Sequence, residues 1–297
     1  MDSHNVLNNF TKQLQFFNGN ATINLLTCSI LVSISGALRV CLASILLMTN
    51  VDLMTCLASG LIIYSVYTLD RTLDSEEDVI NRSELTGSKK EIGAMVTVIA
   101  FLGGAYLFAK RGLSGLAFLP FVTGYLYSKG IKIGKFSLKL KGGLGIKNTI
   151  TGFTWGLSIA GVAGHECNSL LPVVLVFLFF GMKLFLNSTI YDFKDMKGDY
   201  LAGIKTLPAC LGANKTRSIL LILHIITHLC LGIGLIDGIL GFEPIIILYS
   251  FLCGLICIHN YTKKEEDMTE TQKTERTFFI EWESAIVTGL VYLPQIL

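Results

Sequence analysis

Long apolar runs recur along the whole chain with polar interruptions between them, and about twenty apolar residues in succession are what a helix needs to cross a bilayer. Nine such stretches are present, at 22–48, 51–69, 92–109, 113–128, 148–165, 170–191, 218–240, 242–261 and 278–297. A backbone removed from water must satisfy its own N–H and C=O groups, and runs of this length do so as helices. The expectation is therefore an all-α integral membrane protein of nine transmembrane helices, a single unit over 1–297. Only 15% of the residues are charged against 52% hydrophobic, where a soluble domain carries about a quarter charged. That excludes a secreted globule and a nucleic-acid-binding protein. The eight cysteines are scattered, mostly within apolar runs, with no CxxC pair and no zinc-type spacing. The first twenty residues hold one basic residue, Lys12, unlike a cleavable signal peptide, so the first apolar segment is expected to be retained.

Short links at 48–51, 110–113, 164–170 and 237–242 alternate with long polar ones, so the helices are expected to form tight pairs with the long loops on one side. Those long loops carry 19 of the 24 Lys and Arg residues, and the opposite face has only Lys110 and Arg111. Positive charge collects on the cytoplasmic side. The N-terminus and long loops are thus predicted cytoplasmic, in the cell membrane if the source is a prokaryote.

Six of the ten aspartates fall into two groups. Asp70, Asp74 and Asp78 leave the second span at spacings of four, so on a continuing helix their carboxylates share a face. Asp192, Asp195 and Asp199 leave the sixth, and Asn187 and Tyr191 carry the same face back into the membrane. Acidic residues oppose the dipole of a helix C-terminus and repel one another, so two such columns need positive compensation. Divalent cations supply it, and carboxylate oxygens suit Mg²⁺, which bridges carboxylates to phosphate oxygens. The groups superpose at an offset of 121 residues (Asp74 on Asp195, Asp78 on Asp199), the mark of two four-helix pseudo-repeats. Lys129 and Lys132, in the loop after the fourth span, are placed to hold a diphosphate together with the metals. Polar residues inside spans usually face a cavity. Arg39, Lys183, Asn187, Glu281 and Glu283 qualify. His224 and His228, at i and i+4 on the seventh span without a third ligand, read as packing residues, and Trp155 as a core or interface aromatic.

These residues resemble the UbiA superfamily of intramembrane prenyltransferases. The second motif of that family is matched by Asp192, Asp195 and Asp199 followed by Gly203 and by Thr206, Leu207 and Pro208. The first is matched in spacing by Asp70, Asp74 and Asp78, with Arg71 where a second Asp is usual, and the segment 141–156 looks like the start of the fifth helix of the family. The resemblance implies helices arranged around a central cavity open to membrane lipid. It implies Mg²⁺ held by Asp70, Asp74, Asp78, Asp195 and Asp199 with Asp192 as helper, an isoprenyl diphosphate donor, and a small aromatic or lipid acceptor. Arg71, Lys129, Lys132, Lys183, Asn187, Asp192 and Arg39 would then contact substrate. A membrane terpene cyclase, or a non-enzymatic helper of prenyl-lipid synthesis, stays open as an alternative.

Overall fold

The computed structural model describes residues 21–50, 52–73, 85–128, 131–133, 136–138, 143–201 and 203–296. The apolar stretches become helices: α1 (Ala21–Thr27), α2 (Ile30–Leu47), α3 (Leu53–Thr72), α4 (Lys90–Ala109), α5 (Ser114–Ser128), α6 (Ile146–Ala163), α7 (Leu170–Leu201), α8 (Leu207–Ile236), α9 (Pro244–Tyr261), α10 (Glu270–Glu281) and α11 (Glu283–Ile296). Between α5 and α6 two three-residue strands, β1 (Ile131–Ile133) and β2 (Phe136–Leu138), pair antiparallel with Lys132 opposite Ser137.

Six segments are long and apolar enough to cross a membrane: α1 with α2, then α3, α4, α7, α8 and α9. The chain is a multi-pass membrane protein. The expected count of nine spans is not reached by length and composition among the described residues. Stretches 113–128 and 278–297 form helices of only 15 and 14 residues, and α6 dilutes its apolar residues with Asn148, Thr149, Thr151, Thr154 and Ser158.

Three boundaries depart from the apolar pattern, each for a local reason. Stretch 22–48 breaks at Cys28 and Ser29, because the buried Ser29 hydroxyl is taken up by two donors from α3, Arg71 Nη1 at 2.8 Å and Thr68 Oγ1 at 3.1 Å. The sixth stretch continues ten residues past its apolar end, as α7 runs 32 residues to Leu201. At 1.5 Å per residue that is about 48 Å, against about 30 Å of hydrocarbon, so the aspartates ride on turns that project beyond the apolar layer. α8 starts at Leu207, well before the apolar run, and bends at Gly212 (φ 75°, ψ 167°).

The tightest helix contact is α6 against α7, made by glycines. A Cβ on Gly152 would lie 2.5 Å from the Gly181 carbonyl oxygen, and one on Gly156 2.7 Å from Gly181 Cα. In a membrane, where apolar burial drives helices together weakly, small residues permit the close approach that makes dispersion contacts and interhelical hydrogen bonds effective. Gly145, in the left-handed region at φ 66°, turns the chain into α6. The main core lies between α2, α3, α6 and α7, with Val40, Leu46, Ile62, Ile159 and Phe180 buried in it, and a second gathers Ile190, Leu220, Tyr261 and Ile280 beside α10. Large apolar side chains such as Ile34, Leu53, Ile99, Leu229 and Leu252 stay exposed, as a lipid-facing surface requires. At the start of α3, Asp52 accepts from Thr55 N at 2.9 Å and pairs with Arg111, beyond α4.

Gly156→Leu should force α6 and α7 apart at a cost of about 1–3 kcal/mol for an overpacked core. Gly232→Ala, where nothing lies within 4 Å of the added Cβ, should melt like the parent protein. Thermal unfolding in detergent reads both.

Candidate active site

A cavity of about 420 Å³ opens between α2, α3, α5, α6, α7 and α10. Asp70 and Arg71 enter it from the last turn of α3, and Asp192, Asp195 and Asp199 from the final turns of α7. The two acidic groups, more than a hundred residues apart in the chain, thus meet in one space. Arg39 lines it from α2 and Asn187 from α7.

The acidic wall is held by the first turn of α6. Lys147 Nζ lies 2.8 Å from Asp192 Oδ1 and 3.1 Å from Asp199 Oδ2, with both aspartates 1% exposed. Asn148, fully buried, donates from Nδ2 to Asp192 Oδ2 at 2.6 Å and to Thr189 Oγ1 at 2.9 Å, while its Oδ1 accepts from Ser188 Oγ at 2.9 Å. A buried carboxylate is tolerable only when paired and hydrogen-bonded, and Asp192 has both. Lys147 thus places its ammonium between two buried carboxylates on the cavity wall.

Part of the lining is aromatic. Tyr67 and Trp155 stack with ring centroids 5.7 Å apart and planes 13° from parallel, and both line the cavity. The Arg71 guanidinium lies 5.7 Å from the Tyr67 ring centroid and donates to Ser29 Oγ. Such faces favour cationic charge beside them.

Among the residues expected at the site, Asp70, Arg71, Asp192, Asp195, Asp199, Asn187 and Arg39 are brought together. Asp74, Asp78 and Lys129 lie outside the described residues, and of Lys132 only the backbone, in β1, is described. Lys183 does not join them. Although it lies one turn from Asn187, it points into a separate small cavity, where its Nζ pairs with Glu283 Oε2 at 2.8 Å and donates to the Ser250 carbonyl at 3.3 Å. Its charge is already neutralised. His224 and His228 sit away from the cavity, capping carbonyls of Phe251 and of their own helix. Trp155 is buried in the main core, as expected, and also lines the cavity. Lys147 and Asn148 escaped the reading by residue type, because a lysine in a basic loop is what the positive-inside pattern already explains. The signal was their position at the start of a helix facing the second acidic group.

Among the described residues no three of His, Cys, Asp and Glu gather closely enough to hold a metal by themselves. The acidic residues that line the cavity, Asp70, Asp192, Asp195, Asp199 and Glu281, nonetheless offer carboxylate oxygens, a hard set that suits Mg²⁺. Asp192 is taken up by Lys147 and Asn148, and Asp70 and Asp195 line the same cavity from α3 and α7.

The model of the UbiA prenyltransferase family matches residues 40–281. No curated protein matches the chain. Among solved structures, a UbiA homologue from Aeropyrum pernix K1 is similar with a TM-score of 0.61 at 14% identity, over 90% of this chain and 99% of that one. A UbiA homologue from Archaeoglobus fulgidus, bound to DMAPP and Mg²⁺, aligns with a TM-score of 0.59 at 13% identity over 91% and 99%. A structure described for digeranylgeranylglyceryl phosphate synthase gives 0.55 at 19% identity over 90% and 94%.

Lys147→Met should destabilise the protein by about 3 kcal/mol, since it strands a buried carboxylate. Adding Asp192→Asn to that variant should recover part of the loss. A double-mutant cycle of melting temperatures measures the coupling; strictly additive effects would contradict the pairing.

Proposed function

The chain belongs to the UbiA prenyltransferase family, and from that premise we propose that it is a Mg²⁺-dependent intramembrane prenyltransferase. It moves a prenyl group from an isoprenyl diphosphate to a small aromatic or lipid acceptor. The observation that carries this reading is the meeting of Asp70 with Asp192, Asp195 and Asp199 in one cavity whose lining includes Tyr67 and Trp155. A site for diphosphate ionisation needs charge density for the leaving group at one end and water-free, π-rich surface for the allylic cation at the other.

Asp70 and Asp195, with Asp74, Asp78 and Asp199, would hold the metal, and Asp192 would support them through its bonds to Lys147 and Asn148. Bound Mg²⁺ supplies Lewis-acid stabilisation of the charge that develops on the leaving diphosphate. Lys147 and Arg71 would add positive charge beside it, joined by Lys129 and Lys132 from the segment that follows α5 in the sequence. The apolar and aromatic wall, including Val66, Leu184, Tyr67 and Trp155, takes the prenyl chain and keeps water from the cation. Arg39 and Asn187, deeper on α2 and α7, contact the acceptor.

The same reading has α5, α6 and α11 lie in the bilayer beside the six longer helices, giving nine spans in two four-helix halves that each contribute one acidic group. It has the basic loops and both acidic groups on the cytoplasmic side of the cell membrane. α5 and α6 can be less apolar because they pack on each other and line the cavity, and α11 because it packs on α2 and α9. The similarity of a homologue bound to DMAPP and Mg²⁺ supports the donor and metal.

Purified protein with geranylgeranyl diphosphate and shorter donors, in Mg²⁺ or EDTA, with or without mixed phenolic and glycerol-phosphate acceptors, tests the reading. Diphosphate release should need Mg²⁺ and be accompanied by a prenylated acceptor. Release with a hydrocarbon and no acceptor would mean a cyclase, and no release with any donor would refute the enzyme. Asp74→Asn and Asp195→Asn should each lower turnover at least a hundredfold with unchanged melting temperature. Wild-type rates in both would remove the metal model.

A further inference from the structure

The cavity holds a carboxylate that the ionisation of the donor does not use. α10 ends at Glu281 and α11 begins at Glu283, and the break at Trp282 sends these two acids to different places. Glu283 is neutralised by Lys183 at 2.8 Å in the small neighbouring cavity. Glu281 lines the main cavity, and no Lys or Arg among the described residues comes within ion-pairing distance of it. Its bond to another side chain is from the Tyr191 hydroxyl to Oε1, at 3.3 Å. One turn before Tyr191 on α7, Asn187 is 5% exposed and lines the same cavity, and its buried Nδ2 makes no hydrogen bond.

A buried amide N–H without a partner costs about 1–3 kcal/mol, and native structures seldom keep one unless a ligand completes it. Asn187 and Glu281 both line the cavity, and Tyr191 ties Glu281 to the helix that carries Asn187. A hydroxyl-bearing acceptor bound between them would offer its oxygen to Asn187 Nδ2 and its hydrogen to Glu281. Acidic groups at 70 and 192–199 lie with the diphosphate, so they are poorly placed to receive a proton from the acceptor as well.

Resting on the transferase reading above, we propose that Glu281 is the general base of the transfer and that the acceptor is a hydroxyl-bearing molecule held by Asn187. The C1–O bond of the donor breaks with its electron pair going to diphosphate. On an alcohol acceptor the new bond forms between C1 and the hydroxyl oxygen, whose proton passes to Glu281 and later to water. On a phenol the bond forms between C1 and a ring carbon as Glu281 takes the hydroxyl proton; the ring C–H proton at that carbon then leaves to water and Glu281 returns its proton to the oxygen. Phenols and glycerol phosphates share this chemistry, and the choice between them is read from the product.

The test is the number of diphosphates released per prenylated product, measured in full-length protein with Mg²⁺, geranylgeranyl diphosphate and phenolic or glycerol-phosphate acceptors in separate arms. General-base catalysis contributes about 10²–10⁴ in rate. Glu281→Gln should therefore uncouple the steps, raising the ratio from near one to about a hundred as the cation is lost to water. Glu281→Asp, which keeps a carboxylate, should give an intermediate ratio, and Asn187→Leu should raise the acceptor KM more than it lowers kcat. The ratio is independent of how much of a variant preparation is folded. A Gln variant with the wild-type ratio would overturn the proposal, as would one that melts normally yet releases no diphosphate. Should the Gln variant fail to fold, the Asp variant decides by the same ratio. Wild-type protein that releases nothing would instead refute the transferase reading.

Discussion

Carboxylates crowded at one end of a helix bundle repel one another, and everything at this site depends on how that repulsion is contained. The answer built into the chain is Lys147, whose ammonium bridges Asp192 and Asp199, with Asn148 securing the second oxygen of Asp192. That arrangement requires α6 to approach α7 closely. The approach in turn requires glycine at 152, 156 and 181, since any Cβ there would collide with the facing backbone. Three small residues in the bundle interior therefore govern the electrostatics of a site several turns away. The chain of cause runs from side-chain volume to helix separation to charge pairing.

Asp192 is fixed as part of the scaffold by Lys147 and Asn148, and Asp195, one turn on, and Asp70, on α3, line the same cavity. The break between α10 and α11 divides labour, with Glu283 bound into the protein by Lys183 and Glu281 left facing the cavity. There, residues a few positions apart differ in function because helix geometry turns them toward different neighbours.

The apolar runs made the helices legible without coordinates, and the spacing of Asp195 and Asp199 the acidic end of α7, because both follow from helical period and bilayer thickness. Binary pattern of this kind survives when individual residues do not, which is why the fold is shared with structures only 13–19% identical. Helix ends were harder. The interruption at Ser29 is set by Arg71 and Thr68 reaching from another helix, and the early start of α8 by a kink at Gly212. Lys183 was misassigned because one helical turn from Asn187 looks like the same face, yet its long side chain follows Glu283 into another cavity. Lys147 was hidden because a lysine in a basic loop already has an explanation. Tertiary partners decided each of these, and a linear pattern does not carry them.

The central claim is that the acidic groups, with Mg²⁺, hold a diphosphate at the mouth of a prenyl-binding cavity. The most direct measurement is calorimetric binding of a thiolo-diphosphate analogue of the donor, which cannot readily ionise, in Mg²⁺ and then in EDTA, beside the uncharged prenyl alcohol. The account predicts that the analogue binds at least tenfold more tightly with Mg²⁺ and that the alcohol is indifferent to the metal. Equal affinity of the analogue in Mg²⁺ and EDTA would contradict it.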